Sequence, residues 1–285
     1  MNKKKLIYML QILAIVSIAE KNNCSDSESI NNGTTDSLPI CWSIKSFKTK
    51  DELLYGAVVN DNPELILELI DKGANINQLC TQGESLLHTA AVLSKRQAIE
   101  ALVSRGLSVN ARRSFLFDTP LDIAAKKFDV QTMQLLVDLG AHIDHESNVI
   151  LNKVLSVKLF HDTTLKMKDT IDFLLANNVN QSIQDDKGRN VLMNAILHKA
   201  PIEIIQTLLA HHTSSINQTD LNSNNALHYA MAYNCIETAK LLVDKGIKVD
   251  QFNNDAILPL DYGQTDAVRV IQEYIENQAI GSKNA

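Results

Sequence analysis

The chain has 285 residues, 45% of them apolar and 5% aromatic, with four cysteines and a formal net charge of −6. That apolar share excludes disorder along the whole length, and four cysteines spread this widely exclude a disulfide-knotted miniprotein. The acidic balance argues against a surface built to displace counterions from nucleic acid, and a single apolar run at the N-terminus excludes a polytopic membrane protein.

Lys3, Lys4 and Lys5 precede an uncharged stretch from Leu6 to Ala19, the order of a secretory signal peptide. The stretch is short for a spanning helix, which needs about 20 residues. Ser17 and Ala19 set small side chains at the −3 and −1 positions of a cleavage site before Glu20. The expected mature chain therefore starts at Glu20 and is exported, to the periplasm or beyond the cell. An uncleaved anchor and a buried N-terminal helix are the alternatives.

Residues 20–48 are rich in Asn, Ser, Asp and Gly and have little to bury, as a flexible spacer would. They hold Cys24 and Cys41, while Cys80 and Cys235 lie far apart in the body. In an exported chain these four can pair or stay free, and both remain open.

From residue 49 the chain repeats itself. An opening unit reads D-E-L-L-Y-G-A-V from Asp51 and closes D-K-G-A-N-I-N at Asn77. G-E-S-L-L-H-T-A-A follows from Gly83, and R-G-L-S-V-N ends at Asn110. D-T-P-L-D-I-A-A runs from Asp118 to Ala125, and L-L-V-D-L-G-A-H-I-D ends at Asp144. N-A-L-H-Y-A spans Asn225 to Ala230, and L-L-V-D-K-G-I-K-V-D ends at Asp250. Marker residues Leu54, Leu87, Leu121, Leu151, Leu192, Leu227 and Leu260 recur every 30–41 residues. Such a period belongs to stacked repeats.

Within each unit the residues suit two short helices. Ser85 and Thr119 are caps, and Pro120 occupies a first turn, where no N–H partner is needed. Ala90, Ala91, Ala124 and Ala125 keep the first helix slim. Leu102, Leu135, Leu136, Leu241 and Leu242 supply the apolar stripe of the second. Gly73, Gly106, Gly140 and Gly246 stand where a left-handed residue ends it.

These residues resemble the ankyrin repeat over positions 49–278. The resemblance implies an all-α solenoid of about seven helix–turn–helix units joined by β-hairpin loops. The units lie near 49–80, 81–113, 114–147, 148–185, 186–220, 221–253 and 254–278, and 279–285 form a tail. Unit four carries about eight extra residues near Phe160 to Lys168, and a distorted stack is expected there. Unit five offers His211, His212 and Thr213 in place of the glycine turn. Unit one, with Asp51 and Tyr55 at its start, and unit seven, shortened around Gly263 and Gln264, read as caps.

The resemblance also implies a non-catalytic module that binds another protein through its concave face and fingertips. Transferred family positions are Thr81, Gln82, Glu84, Val92 and Leu93 in unit two, and Phe115, Leu116, Asp118, Lys126 and Lys127 in unit three. Unit five gives Asp186, Lys187, Arg189, Leu197 and His198; unit six gives Leu221, Asn222, Asn224, Ala232 and Tyr233. The run Arg112-Arg113-Ser114-Phe115-Leu116-Phe117 stands out, because apolar residues on a tip are costly in water. It either meets a partner or tucks against its neighbours. His88 and His228 occupy the family position that ties adjacent loops together.

No catalytic motif is found, and neither a cofactor nor a metal is implied. His142, Asp144, His145 and Glu146 are ligand types for Zn²⁺, but they lie without a helical i, i+4 pair, and a solvated loop is the plainer reading. His198 with His211 and His212 reads the same way. The expected protein is a monomer without nucleic acid or stable membrane insertion. It looks like exported bacterial ankyrin proteins, acting in the envelope or as a host-directed effector; a metal-dependent enzyme on the His142 loop is the distant alternative.

Overall fold

The computed structural model describes residues 49–79, 83–113, 118–143, 150–157, 163–211 and 216–281. The proposed signal segment, the spacer and Cys24, Cys41 and Cys80 lie outside them, as do the unit-three fingertip 114–117 and residues 144–149.

The described residues form thirteen α-helices. Unit one pairs α1 (Lys50–Val59) with α2 (Pro63–Asp71), and unit two pairs α3 (Leu86–Val92) with α4 (Arg96–Ser104). Unit three holds α5 (Pro120–Lys126) and α6 (Val130–Asp138), and unit four α7 (Ile150–Leu155) and α8 (Thr164–Ala176). Units five and six hold α9 (Val191–Leu197), α10 (Ile202–His211), α11 (Ala226–Ala232) and α12 (Ile236–Asp244). Unit seven reduces its first helix to a 3₁₀ turn, Pro259–Tyr262, followed by the long α13 (Thr265–Gly281). First helices pack on first helices and second on second, so one core runs through the stack.

Local chemistry sets the boundaries. At α1 the Thr49 hydroxyl accepts from the Glu52 N–H while Glu52 reaches back to the Thr49 N–H, a reciprocal cap. Thr119 and Asp122 do the same for α5, with Pro120 in its first turn. Ala90, Ala91, Ala124 and Ala125 are fully buried, which lets the first helices approach closely. Gly73, Gly106, Gly140 and Gly246 have φ of +81° to +92°, the left-handed residue after each second helix.

Three expectations change. Leu135 and Leu241 are half-buried, and their neighbours Leu136 and Leu242 face the core; the adjacent leucines straddle the edge of the stripe. The unit-four insertion is shorter than expected at its C-terminal end, because residues 164–168 already form the first turns of α8. The fingers are tight turns rather than strand ladders: among the described residues there is one isolated antiparallel bridge, Leu79 with Ser85.

The candidate partner-binding face

Each finger in the C-terminal half closes on one side chain. Asp185 Oδ1 accepts from the N–H groups of Lys187 and Arg189, both at 2.9 Å. Asp220 Oδ1 takes Asn222 and Asn224, and Asn253 Oδ1 takes Asp255 and Ile257. A side-chain oxygen thus replaces the ladder a longer hairpin would supply. The third residue after each acceptor turns left-handed: Gly188, Ser223 and Ala256, with φ of +76°, +63° and +58°.

The fingers also bond to one another. Leu221 N–H donates to Lys187 O (3.1 Å) and Asn254 N–H to Asn222 O (2.9 Å). At Gly188 a Cβ would stand 2.7 Å from the Leu221 nitrogen, so only glycine allows that approach.

Nine residues beyond each finger acceptor, the first helix supplies a polar partner. Asn194 Nδ2 donates to Asp185 Oδ2 (3.1 Å), Tyr229 OH to Asp220 Oδ2 (2.7 Å), and Asn253 Nδ2 to Tyr262 OH (2.9 Å). Burial and the Asp220 carboxylate push the Tyr229 phenol well above its usual range, so Tyr229 remains a donor.

The histidines bridge units. His88 Nδ1 accepts from Ser85 N–H (3.2 Å) and Nε2 faces the Asp118 carbonyl (3.1 Å). His228 repeats this with Asn225 N–H (3.1 Å) and Ile257 O (3.3 Å). Burial lowers the proton affinity of both rings.

In unit three Asp122 takes the histidine position, and Lys153 of unit four reaches Asp122 Oδ2 (2.8 Å) and Asp118 Oδ1 (2.6 Å). Lys126 bonds the other Asp118 oxygen at 2.8 Å. Burial would raise the Asp118 carboxyl; the two ammonium groups outweigh it and hold the group below the ordinary carboxylate range.

The proposed contact residues fall into groups. Asp118 is buried in this ion network, with Lys126 committed to it, and Glu84 is paired with Arg113 at 2.5 Å in a largely covered position. These tie units together. Asp186, Lys187, Leu221, Asn222, Ala232, Tyr233, His198 and Lys127 are exposed, while Val92, Leu93, Leu197, Arg189 and Asn224 are half-covered. Thr81, Gln82, Phe115 and Leu116 lie outside the described residues, as do Asp144, His145, Glu146 and His212; His142 and His211 are exposed. Cys235 carries a free, half-buried thiol whose pKa burial raises.

The family transfer missed Leu79, Phe252 and Tyr262. Large apolar side chains exposed among the described residues are Leu79 (64%), Leu165 (75%), Leu221 (70%), Tyr233 (38%), Phe252 (56%) and Tyr262 (38%). Leu79, Leu221 and Phe252 lie on fingers, and Tyr233 and Tyr262 on or just after the first helical segments; Leu165 alone lies on a second helix. Leu79 and Phe252 each stand three residues before the fingertip residue that precedes the left-handed turn, a shared register that the sequence could have revealed. No helix of the described residues is long and apolar enough to cross a membrane.

A family model described as ankyrin repeats (3 copies) matches residues 54–147 and 161–253, leaving the first helix of unit four unmatched. A putative ankyrin repeat protein of fowlpox virus is 30% identical over 171 residues, 58% of this chain and 49% of that protein. A human palmitoyltransferase, ZDHHC13, is 24% identical over 216 residues, 74% of this chain and 33% of the enzyme. The chain thus spans about half or less of these relatives' lengths. Among solved structures, the human ASB11 ankyrin repeat domain superposes with a TM-score of 0.63 at 21% identity, covering 78% of this chain and 96% of that one. The Bcl-3 ankyrin repeat domain gives 0.66 at 20%, covering 78% and 97%. At such identities the likeness shows the fold.

Proposed function

The chain belongs to the ankyrin-repeat family, and from that premise we propose that it is an exported, non-catalytic module that captures another protein on its fingers and first-helix side. Ankyrin repeats are protein-interaction modules. One observation supports the placement: among the described residues, five of the six exposed large apolar side chains lie on fingers or first helical segments. Four of those five belong to units six and seven, so the footprint centres there. Exposed aromatic and apolar residues of this kind are favoured as anchors.

The charged groups on the same side support a binding role over a catalytic one. Asp118, Asp185, His88 and His228, whose pKa values lie below their ordinary ones, are engaged within the fold. The lysine-led, uncharged N-terminal stretch supports export, either to the envelope or toward a host protein. Resemblance to a palmitoyltransferase covers a third of that enzyme and carries no acyl transfer to this chain.

The test is paired capture. The full chain, a Leu221→Ser/Tyr233→Ser/Phe252→Ser variant and a Leu165→Ser control are used to retain partners, and the retained proteins are quantified. The triple variant should lose what the control keeps. Equal retention by all three would contradict the assigned face.

A further inference from the structure

Resting on that reading of the partner surface, we infer that the captured segment is acidic where it lies over units two and three and apolar where it lies over units six and seven. The C-caps of α3, α5, α9 and α11 are Leu93, Lys127, His198 and Tyr233. They occupy equivalent positions and form one row along the proposed face, and the chemistry of that row changes from end to end.

At the unit-three end stand cations. Lys127 is exposed, with its ammonium on the Val92 carbonyl and Ser94 Oγ. Lys95 is close enough for its charge to oppose that of Lys127. Arg96 follows it in sequence and is exposed. Two carboxylates reach this corner: Asp61 accepts from the Ala98 N–H (2.8 Å), and Asp129 accepts from the Thr132 N–H (3.1 Å) and hydroxyl (2.7 Å) and from Ser94. Asp129 caps α6 and lies near both Arg96 and Lys127, where its attraction for Lys127 outweighs the opposition of Lys95. Three cations are thus gathered at one corner of a chain whose net charge is −6. Lys126 does not join them, because Asp118 holds it.

At the other end Tyr233 stands with Tyr262, Leu221 and Phe252, and the exposed charge beside them on the unit-seven finger is Asp255. An apolar side chain laid over Lys95 and Lys127 would strip water from ammonium groups without pairing them. An acidic side chain laid there pairs the cations that the local carboxylates leave in excess, and it steers approach. The same acidic side chain over Phe252 would face Asp255, and beside Leu221 the exposed Lys187 is offset by its exposed neighbour Asp186. The face therefore orients what it binds. Helix layers pack about 8–10 Å apart, so the three steps from Lys127 to Tyr233 span roughly 24–30 Å. About nine extended residues cover that distance at about 3.3 Å each.

The probe is a phage-displayed library of random peptides about 16 residues long, panned on the full chain. Enriched peptides should carry Asp and Glu in one half and large apolar residues in the other. A synthetic peptide of the enriched sequence should bind more weakly as salt rises, and about tenfold more weakly to a Lys95→Glu/Lys127→Glu variant. Arg96→Glu, at an exposed position, gives a second reading should the double variant melt early. Enriched peptides that are neutral or basic, or binding indifferent to both charge reversals, would overturn the polarity while leaving the apolar face standing. No enrichment at all would count against both the polarity and the binding face.

Discussion

Lys153 Nζ lies 2.8 Å from Asp122 Oδ2, and this ion pair joins unit four to unit three at the position where units two and six use an imidazole. The substitution is coupled: a carboxylate at the histidine position cannot donate to the next finger, so the following unit supplies a cation instead. Asp118 completes the arrangement by accepting from both Lys126 and Lys153.

Lys153→Met should therefore cost about 3–5 kcal/mol, because it removes the cation from buried Asp122 and leaves Asp118 with Lys126 alone. Lys126→Met should cost less, since that side chain is 34% exposed and Lys153 remains on Asp118. Replacing Asp122 by Leu together with Lys153→Met should recover much of the loss. Urea titration of the three variants measures this; a Lys153→Met midpoint equal to wild type would contradict the linkage.

Stability should fall as pH drops below 7. His88 and His228 have folded pKa values lowered by burial from an ordinary 6.5, so the unfolded chain takes up protons first. Their contribution is complete above about pH 6.5 and is lost as pH falls toward the folded values. The slope approaches about 1.4 kcal/mol per pH unit for each ring while the fold stays neutral there. Asp118, also lowered, adds a second loss at more acid pH, below its ordinary 3.8. Unfolding midpoints from pH 7.5 downward, compared with a His88→Gln/His228→Gln variant, should show the upper slope flattened in the variant.

Leu136→Ala and Leu242→Ala should each cost about 2–5 kcal/mol through cavity formation. Leu135→Ala and Leu241→Ala should cost distinctly less, because each of these side chains keeps one side toward solvent. Leu165→Ala should stay within about 0.5 kcal/mol. Thermal melts of the five variants rank them; the reverse order within either leucine pair would place the stripe on the wrong face.

Gly188→Ala should destabilise more than Gly246→Ala. Both residues have positive φ, which costs an L residue about 1–2 kcal/mol. Around Gly246 the space for a Cβ is open, whereas at Gly188 it meets the Leu221 backbone. Equal melting temperatures would mean that the fingers are not held together as described.

The repeat, its caps and its glycines are legible because each is a local residue choice: Thr119 with Pro120, paired alanines, Gly140 before Ala141. Other features were hidden. The turns between helices pass through left-handed Asp61, Ser94, Phe128, Lys199 and Asn234, with φ of +53° to +59°, at a position where glycine is the expected residue. They hold that shape because paired backbone bonds, such as Ser94 N–H to Ala91 O and Lys95 N–H to Ala90 O, close each helix end. Asp118 looked like a fingertip contact because its partner Lys153 lies 35 residues away, beyond the reach of a unit-by-unit reading. Phe252 and Leu79 were missed because the transferred family positions begin at the following unit; Phe252 faces outward because the next residue, Asn253, turns in to close the finger.

Hydrogen exchange of the full chain, free and bound to a partner or to an enriched peptide, tests the binding face most directly. Exchange should slow in the fingers at 218–224 and 252–258 and around the C-caps Lys127, His198 and Tyr233, with α4, α6, α10 and α12 unchanged on their outer sides. Protection confined to those second helices, with the fingers exchanging as in the free chain, would contradict the assigned face.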